Sequence, residues 1–395
     1  MARLASVARA WAGRISAWHL AVIYALSAVI VSLQKYNADS YNNYKVFTQS
    51  LKVLLAHQDL YAPHPEYYGD LYKYSPTFPL FMAPLTWLPF AFGLICWNLL
   101  NVLALYAALT TLWPGQRRAV VALLLVTIEL VISLQHTQSN ALVAALIILA
   151  FAELERARSW RAGFYVVAGF FLKGYGAAVG CLVPLYRWRV RTIGAGAFWF
   201  AALAAAPLVA LSTGELIEQY RHWLHVGGTF TVMRNTSIMR VALQHVDASL
   251  DPRVIQLAGL AVFALPFARV SAWSDPRFRL RLLCSLLIAL VIFNNSAEPP
   301  TYVIASAGAA IWYASEPTRS RLDRSLTLSL LIATMVVSTD VYPRALRNAV
   351  AGPWTVKAVG YLLVWLRINW ELLTGSYARR EVRLKPDATL AARSG

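Results

Sequence analysis

Apolar runs long enough to cross a lipid bilayer recur along this sequence, and they constrain the fold more than any other feature. A helix needs about 20 mainly apolar residues to span the hydrocarbon core. The runs are continuous rather than alternating, which indicates helices and excludes a β-barrel. With 58% hydrophobic and 14% charged residues in 395, the chain is too apolar for a soluble domain. We therefore predict an all-α polytopic membrane protein with about ten crossings. The predicted crossings are 17–34, 90–112, 118–135, 139–153, 193–212, 254–268, 282–294, 299–314, 325–340 and 354–370.

The positive charges set the orientation of these crossings. The formal net charge is +17, but Lys and Arg concentrate in alternate loops, as at Arg187, Arg189 and Arg191. Cytoplasmic loops of membrane proteins carry such an excess. We therefore place both termini in the cytoplasm and the protein in the cytoplasmic membrane. The basic clusters are topology signals that contact anionic lipid headgroups, so membrane lipids are expected partners and nucleic acid is not.

The sequence predicts one integral membrane domain, 1–372, followed by a basic cytoplasmic tail, 373–395, that is disordered. Two long loops, 35–77 and 213–253, face the exterior. In the first loop, apolar residues recur at helical spacing over 43–56. This spacing predicts an amphipathic helix at the membrane interface.

Four prolines interrupt the stretch DLYKYSPTFPLFMAPLTWLPF, residues 70–90. Proline starts or stops a helix because it lacks a backbone N–H and restricts the residue before it. Counting this stretch as a crossing would invert every later loop and place the basic clusters outside. We predict that 77–89 is a short helix that enters the membrane without crossing it. A second interfacial helix is expected around Tyr220, Trp223 and Leu224.

Polar side chains collect on the exterior side, although they are scattered along the sequence. They lie in the two long loops, in the turn HTQSN at 136–140 and in the short loop FNNSAEPPTY at 293–302. Many aromatic residues and prolines accompany them, which indicates ordered loops. We expect a functional site at the external membrane–water boundary. Its polar residues include Asn42, Asn43, Asp59, Glu66, Asp70, Gln138, Asn140, Asn235 and Glu298.

Residues 162–191 are flanked by basic clusters on both sides, so both ends are predicted to be cytoplasmic. The stretch then forms a hairpin of two half-helices, broken at Lys173. A broken helix at membrane depth requires protein or a cavity to satisfy the freed backbone groups. A charge there is a candidate functional residue. Lys173 either holds a lipid-linked phosphate or forms a structural pair with Glu129.

No metal ion or other cofactor is predicted. His222 and His225 lie three residues apart on a predicted helix, but no Asp or Glu completes a convincing ligand set. His57, His64 and Glu66 in the first loop form a weaker alternative for a cation.

Five short motifs follow one another in a set order. LLAHQDLY at 54–61 ends an amphipathic helix, and YKYSPTFPLFMAPLTWLP at 72–89 begins an apolar segment. QSN at 138–140 forms a turn, FLKGYG at 171–176 breaks a hairpin, and NTS at 235–237 lies in the second long loop. This order resembles that of the polytopic glycosyltransferase family 87, within the GT-C superfamily. The resemblance spans roughly residues 35 to 315.

The resemblance implies a GT-C-type fold with re-entrant and interfacial helices. It also implies transfer of a mannose-like hexose or a pentose from a polyprenyl-phosphate donor to an acceptor glycan or glycolipid on the external face. Such transfer is typically inverting, with a carboxylate of the first exported loop as the general base for the acceptor hydroxyl. A cation or backbone donors stabilise the departing phosphate. No nucleotide-binding glycine loop is required, and the sequence has none.

The chain departs from the family at the expected aspartate, which is Asn43 here, and an amide cannot act as a general base. The substitute lies either elsewhere in the first loop or in the short loop, where many relatives have a His and this chain has Glu298. The candidates in the first loop are Asp39, Asp59, Glu66 and Asp70. Our predicted catalytic residues are Glu298, Asp70 and Asp39. The predicted substrate-binding residues are Asn42, Asn43, Asp59, Tyr72, Lys73, Tyr74, Gln138, Asn140, Lys173, Asn235, Ser237 and Arg240.

Two other functions stay open at this point. A flippase or transporter of lipid-linked sugars would carry polar residues through several crossings to both faces. Here the polar residues concentrate on one face. An inert membrane scaffold of the same fold is the other alternative, because Asn43 stands where the family has its base.

Overall fold

The computed structural model describes residues 15–227, 236–338, 345 and 355–377. This part of the chain contains helices and no strand, as predicted. The α-helices are α1 (Ala17–Asn37), α2 (Asn42–Leu55), α3 (Phe78–Thr86), α4 (Phe90–Leu112), α5 (Arg117–Gln135), α6 (Asn140–Glu155), α7 (Ser159–Leu172), α8 (Arg189–Ala205), α9 (Thr213–Gly227), α10 (Ile238–His245), α11 (Pro252–Ala264), α12 (Pro276–Ile292), α13 (Tyr302–Ala314), α14 (Arg321–Ser338) and α15 (Val356–Thr374).

Four of the described helices are long and apolar enough to cross a membrane. They are α1, α4, α5 and the segment Arg189–Val209, in which a 3₁₀ turn extends α8. The other predicted crossings fall on shorter helices or extend beyond the described residues. The membrane class is therefore supported, and the number of about ten crossings stays a prediction.

The helices differ in how they use their apolar surface. Central helices such as α6 and α13 are buried on nearly all sides, as expected of helices that are apolar all round. Helix α8 instead exposes Val190, Ile193 and Phe198. A contiguous apolar surface of this kind is rare on soluble monomers and is suited to contact with lipid.

The first long loop, 35–77, contains the predicted amphipathic helix, α2. Its buried face includes Phe47, whose ring lies 5.5 Å from that of Trp97 and 5.3 Å from that of Phe78. Residues 77–89 contain a short helix, α3, that is separate from α4. Pro89 stands immediately before α4 and so divides the two helices. The proline-rich stretch is a break between helices, as the sequence indicated.

The predicted hairpin is broken where expected. Helix α7 ends at Leu172, Lys173 has an extended backbone, and a 3₁₀ segment, Gly174–Leu185, follows. The two arms touch at Gly169 and Gly176, where a Cβ atom on Gly169 would lie 2.9 Å from the Gly176 carbonyl oxygen. Only glycine allows backbones to approach so closely, so these two residues bring Lys173 to the end of a tight bend.

Buried ion pairs hold the C-terminal helices against the rest of the bundle. The Lys357 Nζ lies 2.7 Å from the Glu129 carboxylate, which also accepts a hydrogen bond from Thr334. At the other end of α15, Arg281 pairs with Glu371 at 3.1 Å. The alternative that Glu129 pairs with Lys173 is therefore wrong. The sequence could not reveal this because Lys357 lies 228 residues from Glu129.

The predicted tail, 373–395, overlaps the end of α15, which continues to Thr374. Residues 378–395 lie outside the described part of the chain.

Candidate active site

The segments predicted to face the exterior converge at one end of the bundle. The Asn43 side chain on α2 donates a 2.8 Å hydrogen bond to the His136 carbonyl in the turn between α5 and α6. The backbone N–H of Thr236, just before α10, donates to the Ala297 carbonyl at 2.8 Å. Tyr302 also donates its hydroxyl hydrogen to the Thr236 carbonyl. Hydrogen bonds therefore join segments that are far apart in sequence.

A chain of polar side chains runs through this convergence. Gln138 donates its amide to the Glu298 carboxylate at 2.8 Å, and Asn140 donates to the Gln138 amide oxygen at 2.7 Å. The Lys173 ammonium donates to the Asn140 amide oxygen at 2.7 Å. The Tyr175 hydroxyl donates to the same oxygen at 3.3 Å. A carboxylate thus stands at one end of the chain and an ammonium at the other, joined by two amides.

Local backbone geometry places each member of this chain. Thr137 adopts a left-handed conformation, with φ 51°, and turns the backbone between α5 and α6. Asn140 then begins α6 and is fully buried. Lys173 follows the last residue of α7. Glu298 precedes a proline-rich 3₁₀ turn that leads into α13. Each residue thus lies where a helix begins or ends.

Tyr74 forms a wall of the site. Its ring stacks on Phe78 with 4.5 Å between ring centroids, and the Lys173 ammonium lies 5.7 Å from its centroid. Burial raises the pKa of the Tyr74 phenol, and the Glu298 and Asp70 carboxylates raise it further. Both carboxylates therefore lie near one ring, although Asp70 itself lies in an exposed ion pair, 4.0 Å from Lys73.

Asn43 and Asn42 use their amides in opposite ways. Asn43 donates through its nitrogen to the His136 carbonyl, whereas Asn42 accepts a 3.1 Å hydrogen bond from the Gly69 N–H through its oxygen. A carboxylate can replace an acceptor but has no hydrogen to donate. The asparagine at position 43 therefore has a structural use that an aspartate would lose.

His136 belongs to this cluster, although the sequence analysis did not single it out. Its side chain is exposed, and the turn that carries it also carries Gln138. The surrounding protein removes part of the hydration of the ring, which lowers its pKa; the charges of Lys35 and Lys357 lower the pKa further, and the Glu298 charge raises it. The only signal in the sequence was the presence of a titratable residue in the HTQSN turn.

Several predicted site residues lie elsewhere or are committed to other contacts. Tyr72 is fully buried and donates its hydroxyl to the Ser75 carbonyl, so its position does not fit substrate binding. Ser237 is also fully buried, at the residue before α10. Asp39 is exposed and lies 3.7 Å from Lys45, beside the start of α2.

Asp59 joins the first loop to α9 through His222, at 3.1 Å. Arg240 is half-buried in the first turn of α10. Asn235 lies outside the described residues. Sequence periodicity could not distinguish these roles because they depend on contacts between distant segments.

Two histidines of the first long loop each pair with a carboxylate. His57 pairs with Glu215 at 3.0 Å, and His64 pairs with Glu66 at 3.1 Å. The proposed trio of His57, His64 and Glu66 is therefore divided between two contacts. Among the described residues, no group of three or more His, Cys, Asp or Glu side chains could hold a metal ion.

The described fold and site define an all-helical membrane protein with a polar site where its loops converge. The chain belongs to glycosyltransferase family 87, whose sequence profile matches residues 72–294, more than half of its length. No curated protein matches the chain. Asn43 and Glu298 lie outside the matched residues, so their arguments rest on geometry.

Proposed function

We propose that this protein transfers a sugar from a polyprenyl-phosphate donor to a hydroxyl of an acceptor glycan or glycolipid at the external face of the cytoplasmic membrane. The sugar is a mannose-like hexose or a pentose, and its anomeric configuration is inverted. The observation that carries this proposal is the hydrogen-bonded chain from Glu298 through Gln138 and Asn140 to Lys173. Membership of a glycosyltransferase family supports the reaction class.

The Lys173 end of the chain suits the donor phosphate. The ammonium has donors beyond the one that Asn140 uses, and a hydrogen bond between charged groups is about twice as strong as a neutral one. Lys73 lies close enough for the two positive charges to interact. The Lys173 ammonium, with a contribution from the Lys73 charge, would stabilise the negative charge on the leaving polyprenyl phosphate.

The Glu298 end suits the acceptor. The Glu298 carboxylate is exposed, and the Gln138 amide orients one of its oxygens. Its free acceptor capacity can bind the attacking hydroxyl and stabilise the positive charge that develops on the hydroxyl oxygen as it bonds to the anomeric carbon. Among the three predicted catalytic carboxylates, Glu298 is the one hydrogen-bonded to this chain. We therefore assign the carboxylate that contacts the acceptor hydroxyl to Glu298 and not to Asp70 or Asp39.

An inverting transfer needs the acceptor and the leaving phosphate on opposite sides of the anomeric carbon. Placing a carboxylate and an ammonium at opposite ends of one polar chain suits this requirement. Gln138 and Asn140 lie between them and have amide groups suited to sugar hydroxyls. Holding both reactants in one geometry supplies much of the rate enhancement available to such an enzyme.

A transfer assay with the purified full-length chain tests this function. The probes are polyprenyl-phosphate mannose and polyprenyl-phosphate arabinose as donors, and octyl mannoside with extracted membrane glycolipids as acceptors. We expect a covalent product of inverted configuration and a loss of about 100-fold or more in kcat for Glu298→Gln. The matched control, Asp39→Asn, should retain the wild-type rate because Asp39 pairs with Lys45 away from the chain.

The same preparation separates the alternatives. Movement of the lipid-linked sugar across liposomes without covalent product would support the transporter instead. Donor binding without product or transport would support the inert scaffold. Full activity in Glu298→Gln would remove Glu298 from the reaction.

A further inference from the structure

The structure leaves open which group takes the proton of the acceptor hydroxyl, because the family aspartate position is occupied by Asn43. We infer that His136 takes this proton, with Glu298 stabilising the imidazolium that forms. This inference rests on the proposed glycosyl transfer and adds a catalytic residue to it.

The position of His136 is the first support. Asn43 holds the His136 carbonyl at 2.8 Å, so this histidine lies beside the residue where the family's base is expected. Two residues later, Gln138 binds Glu298 at 2.8 Å. The backbone that carries the imidazole is therefore held at His136 by Asn43 and at Gln138 by Glu298, at the carboxylate end of the polar chain.

The availability of the imidazole is the second support. The side chain is exposed, and neither ring nitrogen has a hydrogen-bond partner within the described ranges. The outer-loop histidines His57, His64 and His222 instead each pair with a carboxylate. A ring nitrogen of His136 is therefore open to a substrate hydroxyl.

The surrounding charges are the third support. Lys35 at the end of α1, Lys357 at the start of α15 and Glu298 in the short loop all act on the imidazole. Partial desolvation of the ring and the two cations keep the pKa of His136 below its ordinary value of 6.5. A neutral imidazole has a ring nitrogen that can accept a proton.

The step balances as follows. The acceptor oxygen forms a bond to the anomeric carbon while the bond from that carbon to the phosphate oxygen breaks. The electron pair of the broken bond leaves with the polyprenyl phosphate. The hydroxyl proton passes to a ring nitrogen of His136, and the imidazolium then releases it to water. The negative charge of Glu298 stabilises the intermediate imidazolium.

Chemical rescue provides the sharpest test. His136→Ala is assayed with polyprenyl-phosphate mannose and octyl mannoside, with and without added imidazoles of different pKa. We expect the rate to fall by about 100- to 10,000-fold, and the added imidazoles to restore it more strongly as their basicity increases. The control is His19→Ala. His19 lies beside Ser16 at the start of α1, at the other end of that helix from Lys35, so this variant should keep the wild-type rate and show no rescue.

Two measurements keep the test independent of folding. Replacing the side chain leaves the backbone carbonyl that Asn43 binds, so His136→Gln should retain the melting temperature and the affinity for polyprenyl phosphate. The wild-type rate should fall as the pH drops through the pKa of His136, below 6.5. This acid limb should be lost in His136→Gln.

The outcomes separate this inference from the proposed function. Transfer that persists in His136→Gln, or a wild-type acid limb near pH 4, where carboxylates titrate, would overturn the role of His136. Glycosyl transfer itself would then stand. Absence of product with every donor would overturn the proposed function and the inference together.

Discussion

The side-chain nitrogen of Asn43 lies 2.8 Å from the backbone oxygen of His136 and donates a hydrogen bond to it. This contact ties α2 to the turn between α5 and α6. The resemblance to the family places an aspartate at position 43, yet an aspartate would set a carboxylate against a carbonyl oxygen. The departure from the family is thus linked to the contact that holds the turn to which we assign the catalytic base.

Restoring the family residue should therefore damage this protein. We expect Asn43→Asp to lower the free energy of unfolding by about 0.5–1.5 kcal/mol, because the His136 carbonyl loses its donor. Asn42→Asp is the matched control and should change it by less than about 0.5 kcal/mol, since Asn42 only accepts from Gly69. Thermal unfolding of both variants checks this. Equal effects would contradict the contact.

Lys173 should decide the affinity for the donor lipid. Lys173→Gln removes the charge that we assign to the phosphate, worth about 1.5–3 kcal/mol for a charged hydrogen bond. We expect the Kd for polyprenyl phosphate to rise about 10- to 100-fold. Lys73→Gln should raise it less, because Lys73 is exposed and exposed ion pairs contribute about 0–1 kcal/mol. A larger effect from Lys73 would reverse these assignments.

The contact between Gly169 and Gly176 should be sensitive to substitution, because it positions the charge of Lys173. A Cβ on Gly176 would clash with the Gly169 carbonyl, whereas a Cβ on Gly174 would meet nothing within 4 Å. We expect Gly176→Ala to destabilise the protein by about 1–3 kcal/mol and to weaken polyprenyl phosphate binding by displacing Lys173. Gly174→Ala should do neither. Melting temperatures and binding isotherms of the two alanine variants provide the comparison.

The buried pair of Glu129 and Lys357 should show strong coupling. Lys357→Met leaves an uncompensated buried carboxylate, which costs about 3–5 kcal/mol. Combining it with Glu129→Gln should recover most of that loss, because the charge is then removed from both partners. A double-mutant cycle on the free energy of unfolding measures this coupling. Additive losses would contradict the pair.

The pH dependence of transfer should respond in opposite directions to two neighbours of His136. The base must be neutral, so activity is present above the pKa of His136 and is lost as the pH falls through it. Lys35 lowers this pKa and Glu298 raises it. Lys35→Gln should therefore move the acid limb to higher pH, and Glu298→Gln should move the residual activity to lower pH. A shift of both limbs in one direction would contradict the role of His136.

The sequence alone determined the class of this protein and many of its helices. An apolar run predicted α4 at its observed bounds, and helical spacing predicted α2 within one residue. The flanking basic clusters and the glycines predicted the break at Lys173. Such features depend on the local chain: an apolar run long enough for a bilayer, prolines that end a helix, and glycines that allow a bend. The motif order also indicated the family.

Tertiary structure alone decided which polar residues work together. Two amides connect Glu298 to Lys173 by hydrogen bonds. Glu129 forms its ion pair with Lys357 and not with Lys173, and Tyr72 is buried in the core. The structure also places His136 beside Asn43, through a hydrogen bond to the His136 carbonyl. Hydrogen bonds and ion pairs act over a few ångströms between residues that are far apart in sequence. Their partners therefore depend on how the helices pack, which no local pattern records.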